Sequence, residues 1–239
     1  MELSWWKQSA LVGNRLMVSC LITLSLRVGS AELITGELPP YSSAIMEHGG
    51  ELTHDIVQVL NTMGFGNIAL SYQPWPRGLK NMSLGNAIAA FPFTWTSERG
   101  RYLYYSVPIT FDIQSWYTTP DKLFLEHSSW QGRTACVPKG WFSDAIDTVI
   151  SEQGLSIRTT NRLSQCIELL KKGRVDLVSI NDASLDSLPL LSGSDISKLS
   201  LYRQNVTYYL VTPRTEKGHD FIDAFNKAWL ASALKDKWM

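Results

Sequence analysis

The chain has 239 residues, which is enough to bury a full hydrophobic core as one large domain or two small ones. It is 44% hydrophobic and 18% charged, and its formal net charge is zero. Nucleic acid and anionic membrane surfaces are held by basic faces, so this charge balance argues against both as partners.

The N-terminal segment follows the pattern of a secretory signal. Lys7 and Arg15 precede an apolar run over residues 16–26, and small residues occupy positions 29–31. The apolar run is too short to cross a bilayer, and the order of basic, apolar and small residues is that of a cleaved export signal. We therefore predict that residues 1–31 form a signal peptide, cleaved after Ala31, and that the mature chain is exported.

Two cysteines remain in the predicted mature chain, Cys136 and Cys166. An even number of cysteines in an exported protein favours a disulfide over free thiols. Cys136 ends a predicted strand, and Cys166 lies on the inward face of a following helix, at a distance that a disulfide can bridge. We predict that these two cysteines are bonded to each other.

Three predicted strands in the first half of the chain each end in a loop that displays aromatic or polar side chains. The strands cover residues 32–35, 68–72 and 87–90, and their loops carry Tyr41, Trp75 and the segment 91–99, respectively. A helix with apolar residues at helical spacing over 56–63 separates the first two strands. The ends of parallel strands lie side by side at one edge of a sheet, and ligands bind at this edge in α/β proteins.

The segment 91–99 has the composition of a carboxylate site. It places the hydroxyls of Thr94, Thr96 and Ser97 just before Arg99. An arginine guanidinium offers a planar fork of donors to a carboxylate, and hydroxyl and backbone N–H groups complete the shell. An exposed arginine that binds nothing is the alternative for this segment taken alone.

A second series of strands and helices follows. A strand over 114–119 leaves the first unit, and the second series starts at residue 134. Its predicted strands cover 134–137, 156–159, 175–180 and 206–212, with helices over about 146–150 and 161–170 and a last helix over about 219–230. The loop 138–142 follows the strand 134–137, and Asn181 follows the strand 175–180. This alternation predicts a second α/β unit.

Five short motifs occur in order along the whole predicted mature chain. They are Pro39-Pro-Tyr-Ser42, Gly49-Gly50, Pro74-Trp75, Thr96-Ser-Glu-Arg99 and Gly173-Arg-Val-Asp176. Together they resemble bacterial periplasmic solute-binding proteins of the polar amino-acid type, ABC transporter substrate-binding family 3.

The resemblance implies an α/β fold of two lobes, each a mostly parallel sheet flanked by helices. Lobe 1 would comprise residues 32–116 and 210–239, and lobe 2 residues 117–209. Two crossing strands, near 114–119 and 207–211, would join the lobes, and the ligand would be held between them. The C-terminal helix would return to lobe 1.

The resemblance also assigns four site residues. Arg99 matches the family's carboxylate-binding arginine, and Thr94 matches its hydroxyl partner. Trp75 falls where the family places an aromatic ring against the ligand side chain, and Tyr41 falls where another aromatic ring lines the cleft.

Three further site residues depart from the family pattern. Phe91 and Phe142 stand where amino-acid binders usually offer hydroxyl residues, and Asn181 stands where they carry the aspartate that neutralises the ligand's ammonium group. The neighbouring Asp182 is expected to point to the opposite face of the strand. The resemblance therefore implies a site that keeps its carboxylate end and weakens its amine end.

The function implied is that of a non-enzymatic, monomeric periplasmic protein that captures a small polar or carboxylate-bearing solute between its lobes. Its partners would be this small molecule and a membrane subunit of an ABC-type transporter. We expect no cofactor and no metal, since the four histidines show no metal-ligand spacing.

Two other functions stay open. One is an enzyme on the same scaffold, because a few relatives are dehydratases of small carboxylic acids; for this chain, a dehydratase of small cyclic hydroxy acids is the alternative. Such an enzyme needs a general acid or base, and Asp182 is the one acid that the sequence places near the strand ends. The other is the sensor domain of a larger receptor, which would need a membrane-spanning segment after the last helix.

Overall fold

The computed structural model describes residues 31–187 and 195–238. It shows an α/β protein of two lobes with a mixed, mostly parallel sheet flanked by helices, as the sequence predicts. The predicted signal peptide lies outside the described residues, except for Ala31, which is the first residue of the first strand.

Nine strands lie within the described residues. They are β1 (Ala31–Thr35), β2 (Ile68–Tyr72), β3 (Ala89–Thr94), β4 (Leu103–Thr118), β5 (Thr134–Pro138), β6 (Ser156–Thr160), β7 (Leu177–Asn181), β8 (Ser197–Lys198) and β9 (Gln204–Pro213). The helices are α1 (Glu51–Thr62), α2 (Trp75–Ser83), α3 (Asp144–Glu152), α4 (Leu163–Lys171), α5 (Asp182–Asp186), α6 (Glu216–Ala231) and α7 (Lys235–Trp238). Short 3₁₀ segments cover Glu47–Gly49, Arg99–Arg101 and Pro120–His127.

The strand order shows how the two lobes are joined. It is β2-β1-β3-β9-β4-β7-β5-β6, and β8 pairs with β4. Strand β1 is parallel to β2 and β3, and β5 is parallel to β6 and β7, so each end of the sheet is a parallel group. The antiparallel pair of β4 and β9 lies between these groups and connects them.

The crossing strands are longer than the sequence predicts. Strand β4 has 16 residues and begins at Leu103, and its pairing with β9 runs from Leu103 opposite Pro213 to Gln114 opposite Gln204. The predicted lobe boundaries near residues 116 and 210 fall within these two strands. Exact lobe limits stay a prediction, since the strands are shared between the lobes.

The core of lobe 1 forms where two amphipathic helices cover the sheet. Helix α1 buries Ile56 and Leu60, and helix α6 buries Phe225 and Trp229, in one cluster with Leu33 of β1. The spacing of these apolar residues is that of a helix with one buried face. Helix α6 therefore packs on the same sheet face as α1.

Lobe 2 has a core on each face of its sheet. One contains the edge-to-face pair Trp116 and Trp130, and the other contains Cys136 and Cys166. The two cysteines are joined by a disulfide that links β5 to α4, with their Cα atoms 5.5 Å apart. The predicted disulfide is therefore present in the structure.

Within residues 31–187 and 195–238, no helix is both long enough and apolar enough to span a membrane.

Candidate functional site

A pocket of about 340 Å³, including the part that opens to solvent, lies between the two lobes. Lobe 1 and lobe 2 both contribute to its walls, and the two crossing strands supply Gln114 and Tyr208. The complete lining is Leu38, Trp75, Pro92, Phe93, Thr94, Gln114, Gly140, Trp141, Asn181 and Tyr208. The pocket thus lies where the ends of parallel strands from the two lobes face each other.

Three of the predicted site residues, Trp75, Thr94 and Asn181, line this pocket. Thr94 is the last residue of β3 and Asn181 is the last residue of β7. Trp75 is the first residue of α2, where the flanking prolines suit a helix start, and its ring packs edge-to-face on Phe93 with centroids 5.3 Å apart. The ends of strands in the two lobes therefore place these three residues around one pocket.

Arg99 lies beside the pocket and bridges the lobes. Its Nη1 donates to the backbone oxygen and to the hydroxyl oxygen of Thr94, both at 3.1 Å, and its Nη2 donates to the backbone oxygen of Gly140 in lobe 2 at 3.4 Å. These bonds use three of the five guanidinium N–H groups. The remaining two make no hydrogen bond within the described part of the chain, so they stay free for an acceptor.

Thr94 and its neighbours continue this contact across the cleft. The Thr94 hydroxyl donates to the backbone oxygen of Phe142 at 3.0 Å, while it accepts from Arg99. Farther out, the backbone N–H of Ser97 donates to a carboxylate oxygen of Asp144 at 3.2 Å. The segment predicted as a carboxylate site is therefore bonded to oxygens of the opposite lobe.

Tyr105 lies behind this segment and donates its hydroxyl to the backbone oxygen of Thr94 at 3.4 Å. Burial raises the pKa of Tyr105 to about 12, although the positive charge of Arg99 opposes the rise. Tyr105 is therefore neutral near pH 7 and acts as a hydrogen-bond donor there.

Three other predicted site residues do not line the pocket. Phe91 is completely buried in the lobe 1 core, because its position on β3 directs the ring toward the helices rather than the cleft. Tyr41 is 5% exposed and lies one layer behind the pocket, with its ring centroid 6.0 Å from that of Tyr208. Phe142 packs against the lobe 2 core and offers the cleft its backbone oxygen, while the preceding Trp141 lines the pocket.

The end of the pocket at the crossing strands is formed by three neutral polar side chains, those of Gln114, Asn181 and Tyr208. Asn181 and Gln114 are opposite each other in the pairing of β7 with β4, and they are 1% and 4% exposed. The amide Nδ2 of Asn181 donates to the hydroxyl oxygen of Tyr208 at 2.5 Å. Burial raises the pKa of Tyr208 well above its usual value, and the nearby charge of Asp112 adds to the rise, so the phenol is neutral.

The two aspartates nearest this end lie outside the lining. Asp182 accepts a bond from the Tyr117 hydroxyl at 2.9 Å and is paired with Lys198, so it faces away from Asn181 as the strand pattern predicts. Burial alone would raise the pKa of Asp182, but bonds from Lys198 and neighbouring hydroxyls hold it below its usual value. Asp112 lies behind Tyr208, and burial raises the pKa of its carboxyl group.

Seven lining residues are not among the predicted site residues. They are Leu38, Pro92, Phe93, Gln114, Gly140, Trp141 and Tyr208. The sequence carries no signal for Gln114 and Tyr208, because both lie on strands that are expected only to connect the lobes. No group of three or more His, Cys, Asp or Glu side chains within the described residues is placed to hold a metal ion.

The chain matches no protein-family model and no curated protein. It is similar in structure to a periplasmic binding protein of an arginine transport system from Legionella pneumophila, with 14% identity, coverage of 88% of this chain and 99% of that one, and a TM-score of 0.71. The periplasmic VFT2 domain of BvgS from Bordetella pertussis is 17% identical over 88% of this chain and 93% of that one, with a TM-score of 0.70. An ancestral amino-acid-binding protein, described as a precursor of cyclohexadienyl dehydratase, is 13% identical over 87% of this chain and 92% of that one, with a TM-score of 0.70. At these identities the likeness establishes the two-lobed fold.

Proposed function

We propose that this protein is a non-enzymatic binding protein that captures a small, polar, carboxylate-bearing solute in the cleft between its lobes. The observation that carries the proposal is the pocket between the lobes, with Arg99 and Thr94 of one lobe bonded to backbone oxygens of the other at its edge. Two guanidinium N–H groups of Arg99 remain for a ligand carboxylate, which is the acceptor that a planar fork of donors fits best.

Binding would couple to the closure of the lobes. One N–H group of Arg99 and the Thr94 hydroxyl already donate to oxygens of lobe 2, and the two free N–H groups of Arg99 would donate to the ligand carboxylate, so closure and binding depend on the same arginine side chain. Closure removes water from around this contact and strengthens its electrostatic part. The rings of Trp75 and Trp141, one from each lobe, then cover the apolar part of the solute.

The structural neighbours support this role in its broad form. Among them are an arginine-transport periplasmic binding protein and an ancestral arginine-binding protein bound to arginine. By extension we propose that residues 1–31 direct export to the periplasm, that the protein acts as a monomer, and that it delivers its solute to the membrane subunit of an ABC-type transporter.

Thermal denaturation of the purified chain across a library of amino acids and small carboxylates tests the proposal. A solute at a hundred times its dissociation constant adds about 2.7 kcal/mol to the free energy of unfolding. For a chain of this size, that corresponds to a rise in Tm of roughly 5–10 °C. A library in which no carboxylate raises Tm at millimolar concentration would contradict the proposal.

An enzyme on the same fold is the second candidate, and the dehydratase precursor among the structural neighbours is the observation that favours it. Dehydration requires a group that donates or accepts a proton at the substrate. The lining of the pocket contains no Asp, Glu, His or Lys within the described residues, and its one titratable side chain, Tyr208, is held neutral. We therefore rank binding above catalysis. NMR of the purified chain incubated with cyclic hydroxy acids tests this alternative, and the appearance of a dehydrated product would reverse the ranking.

A further inference from the structure

Gln114 is a buried glutamine whose side chain has no partner. It is 4% exposed, it lines the pocket, and its amide makes no hydrogen bond to any of the described residues. The amide is not among the fully buried polar groups without a partner in the described residues, so it is accessible from the pocket. Side-chain amides in a protein interior are nearly always hydrogen-bonded. An amide on the wall of a pocket with no partner in the described part of the chain therefore pairs with a group that enters the pocket.

The groups beside Gln114 are neutral and have free hydrogen-bonding capacity as well. Asn181 donates from Nδ2 to the oxygen of Tyr208, which leaves its carbonyl oxygen as an acceptor. The hydroxyl proton of Tyr208 has no acceptor among the described residues, so it remains available as a donor. Together the three side chains offer donors and acceptors but no charge.

We infer that Gln114, Asn181 and Tyr208 form a subsite for an uncharged group that both donates and accepts hydrogen bonds, with a carboxamide as the best match. A carboxamide has one acceptor oxygen and two N–H donors, so it pairs with an arrangement of this kind in full. The inference rests on the proposed function, since it supplies the second end of a solute whose carboxylate lies near Arg99. The solute class is therefore a small carboxylic acid that also carries an amide.

Charged groups fit this subsite poorly. An ammonium group has donors only, and it would be buried next to the donors of Gln114 and Tyr208 without a carboxylate in contact. A second carboxylate would likewise be buried without a cation. Asp112 is close enough to affect the pKa of Tyr208, but it does not line the pocket, and its Oδ1 accepts from the backbone N–H of Ile113 at 2.7 Å.

Three probes of nearly equal shape separate these cases. Succinamate, 4-aminobutyrate and succinate share one carboxylate and differ at the other terminus, which is a carboxamide, an ammonium group or a carboxylate. We expect calorimetry on the full mature chain to show succinamate binding at least tenfold more tightly than the other two. An Asn181→Asp variant should reverse the order of succinamate and 4-aminobutyrate, because it places a negative charge at this end.

A second variant tests the amide of Gln114 directly. Gln114→Met keeps the length of the side chain and removes its amide. It should leave Tm unchanged or raise it, while the affinity for succinamate falls at least tenfold.

Gln58→Glu is the control for Asn181→Asp, because it also exchanges an amide for an acid but lies at an exposed position of α1. It should leave all three affinities unchanged.

The outcomes separate the subsite from the proposed function. Equal or tighter binding of 4-aminobutyrate or succinate to the wild-type chain would overturn the subsite, and so would an absence of response to all three probes. A fall in Tm of more than about 4 °C in Gln114→Met would also overturn it, since the amide would then have a structural partner. In each case the proposed function stands if the solute library contains a carboxylate that binds, and it fails if no carboxylate does.

Discussion

Substitution of Gly140 by alanine tests whether the two lobes meet as the structure shows. Gly140 belongs to lobe 2 and has a φ of +89°, a conformation that favours glycine. A Cβ added there would lie 2.4 Å from Cβ of Trp75 in lobe 1 and 3.1 Å from its Cγ. Since ordinary contacts begin near 3.4 Å, the lobes would have to separate by about 1 Å at this point.

The expected loss of stability has two parts. The positive φ costs about 1–2 kcal/mol for alanine, and the contact with Trp75 adds about 1–2 kcal/mol as overpacking. Gly132 is a matched control, because it has a φ of +73° and no atom within 4 Å of an added Cβ. We therefore expect Gly140→Ala to lower the free energy of unfolding by about 1–2 kcal/mol more than Gly132→Ala does.

Urea denaturation of both variants, alone and combined with Trp75→Gly, measures the two parts separately. In the Trp75→Gly background, which lacks Cβ as well as the ring, Gly140→Ala should cost no more than Gly132→Ala, because the atoms that it meets are gone. Separation of the lobes also lengthens the 3.4 Å contact from Arg99 to the Gly140 oxygen beyond hydrogen-bonding distance. The reasoning is refuted if the two glycine variants lose equal stability, or if removal of the whole Trp75 side chain in Trp75→Gly does not reduce the difference between them.

Two further predictions concern lobe 2. The disulfide between Cys136 and Cys166 closes a loop with a sequence separation of 30, so its removal by a double serine variant should lower the free energy of unfolding by roughly 3–4 kcal/mol. Maleimide labelling of Cys136 and Cys166 in the denatured, unreduced wild-type chain would show that the bond is absent. The Asp176 carboxylate accepts from Lys122 at 2.8 Å and from the Thr134 N–H at 3.0 Å, and these bonds hold its pKa below the usual value although burial alone would raise it. The stability that these bonds contribute is therefore fully present above the pKa of an aspartate in the unfolded chain. It is lost as the pH falls through the lower pKa that Asp176 has in the folded chain. Asp176→Asn should cost about 1.5–3 kcal/mol at pH 7 and much less near pH 2, and an equal cost at both pH values would contradict this assignment.

Patterns along the chain predict the architecture because the physics behind them is local. Helical spacing of apolar residues identifies α1 and α6, and apolar runs identify β3 and β7. The ends of parallel strands in each lobe then have to share an edge, which brings Trp75, Thr94 and Asn181 to one pocket. Strand ends thus account for the positions of Trp75 and Thr94, whereas the two-lobed fold and the site role of Asn181 come from the family resemblance.

The remaining site residues depend on details that such patterns do not contain. Phe91 and Thr94 lie on one short strand, but the pairing of β3 with β9 shifts register between Ala90 and Phe93, so simple alternation does not say which residues face the cleft. In the loop after β5, Trp141 and Phe142 are adjacent aromatic residues, and only the turn decides which of them enters the pocket.

Gln114 and Tyr208 show a different limit. Both lie on strands that the sequence identifies as connections between the lobes, and nothing in the sequence predicts that such a strand contacts a ligand. Their polar groups become informative only when the structure shows that one is unpaired and that the other receives the Asn181 amide.

The measurement that tests the central claim most directly is calorimetry on Arg99→Ala with a carboxylate that stabilises the wild-type chain. Removal of one partner from a buried, hydrogen-bonded charge pair costs about 2–5 kcal/mol, so affinity should fall by roughly thirtyfold to several thousandfold. Arg99→Lys should recover only part of this loss, because an ammonium group cannot form the fork. Arg101→Ala, at an exposed arginine two residues along the same turn, should change affinity by less than about threefold. Near-native affinity of a folded Arg99→Ala variant would contradict the proposal that this cleft binds a carboxylate.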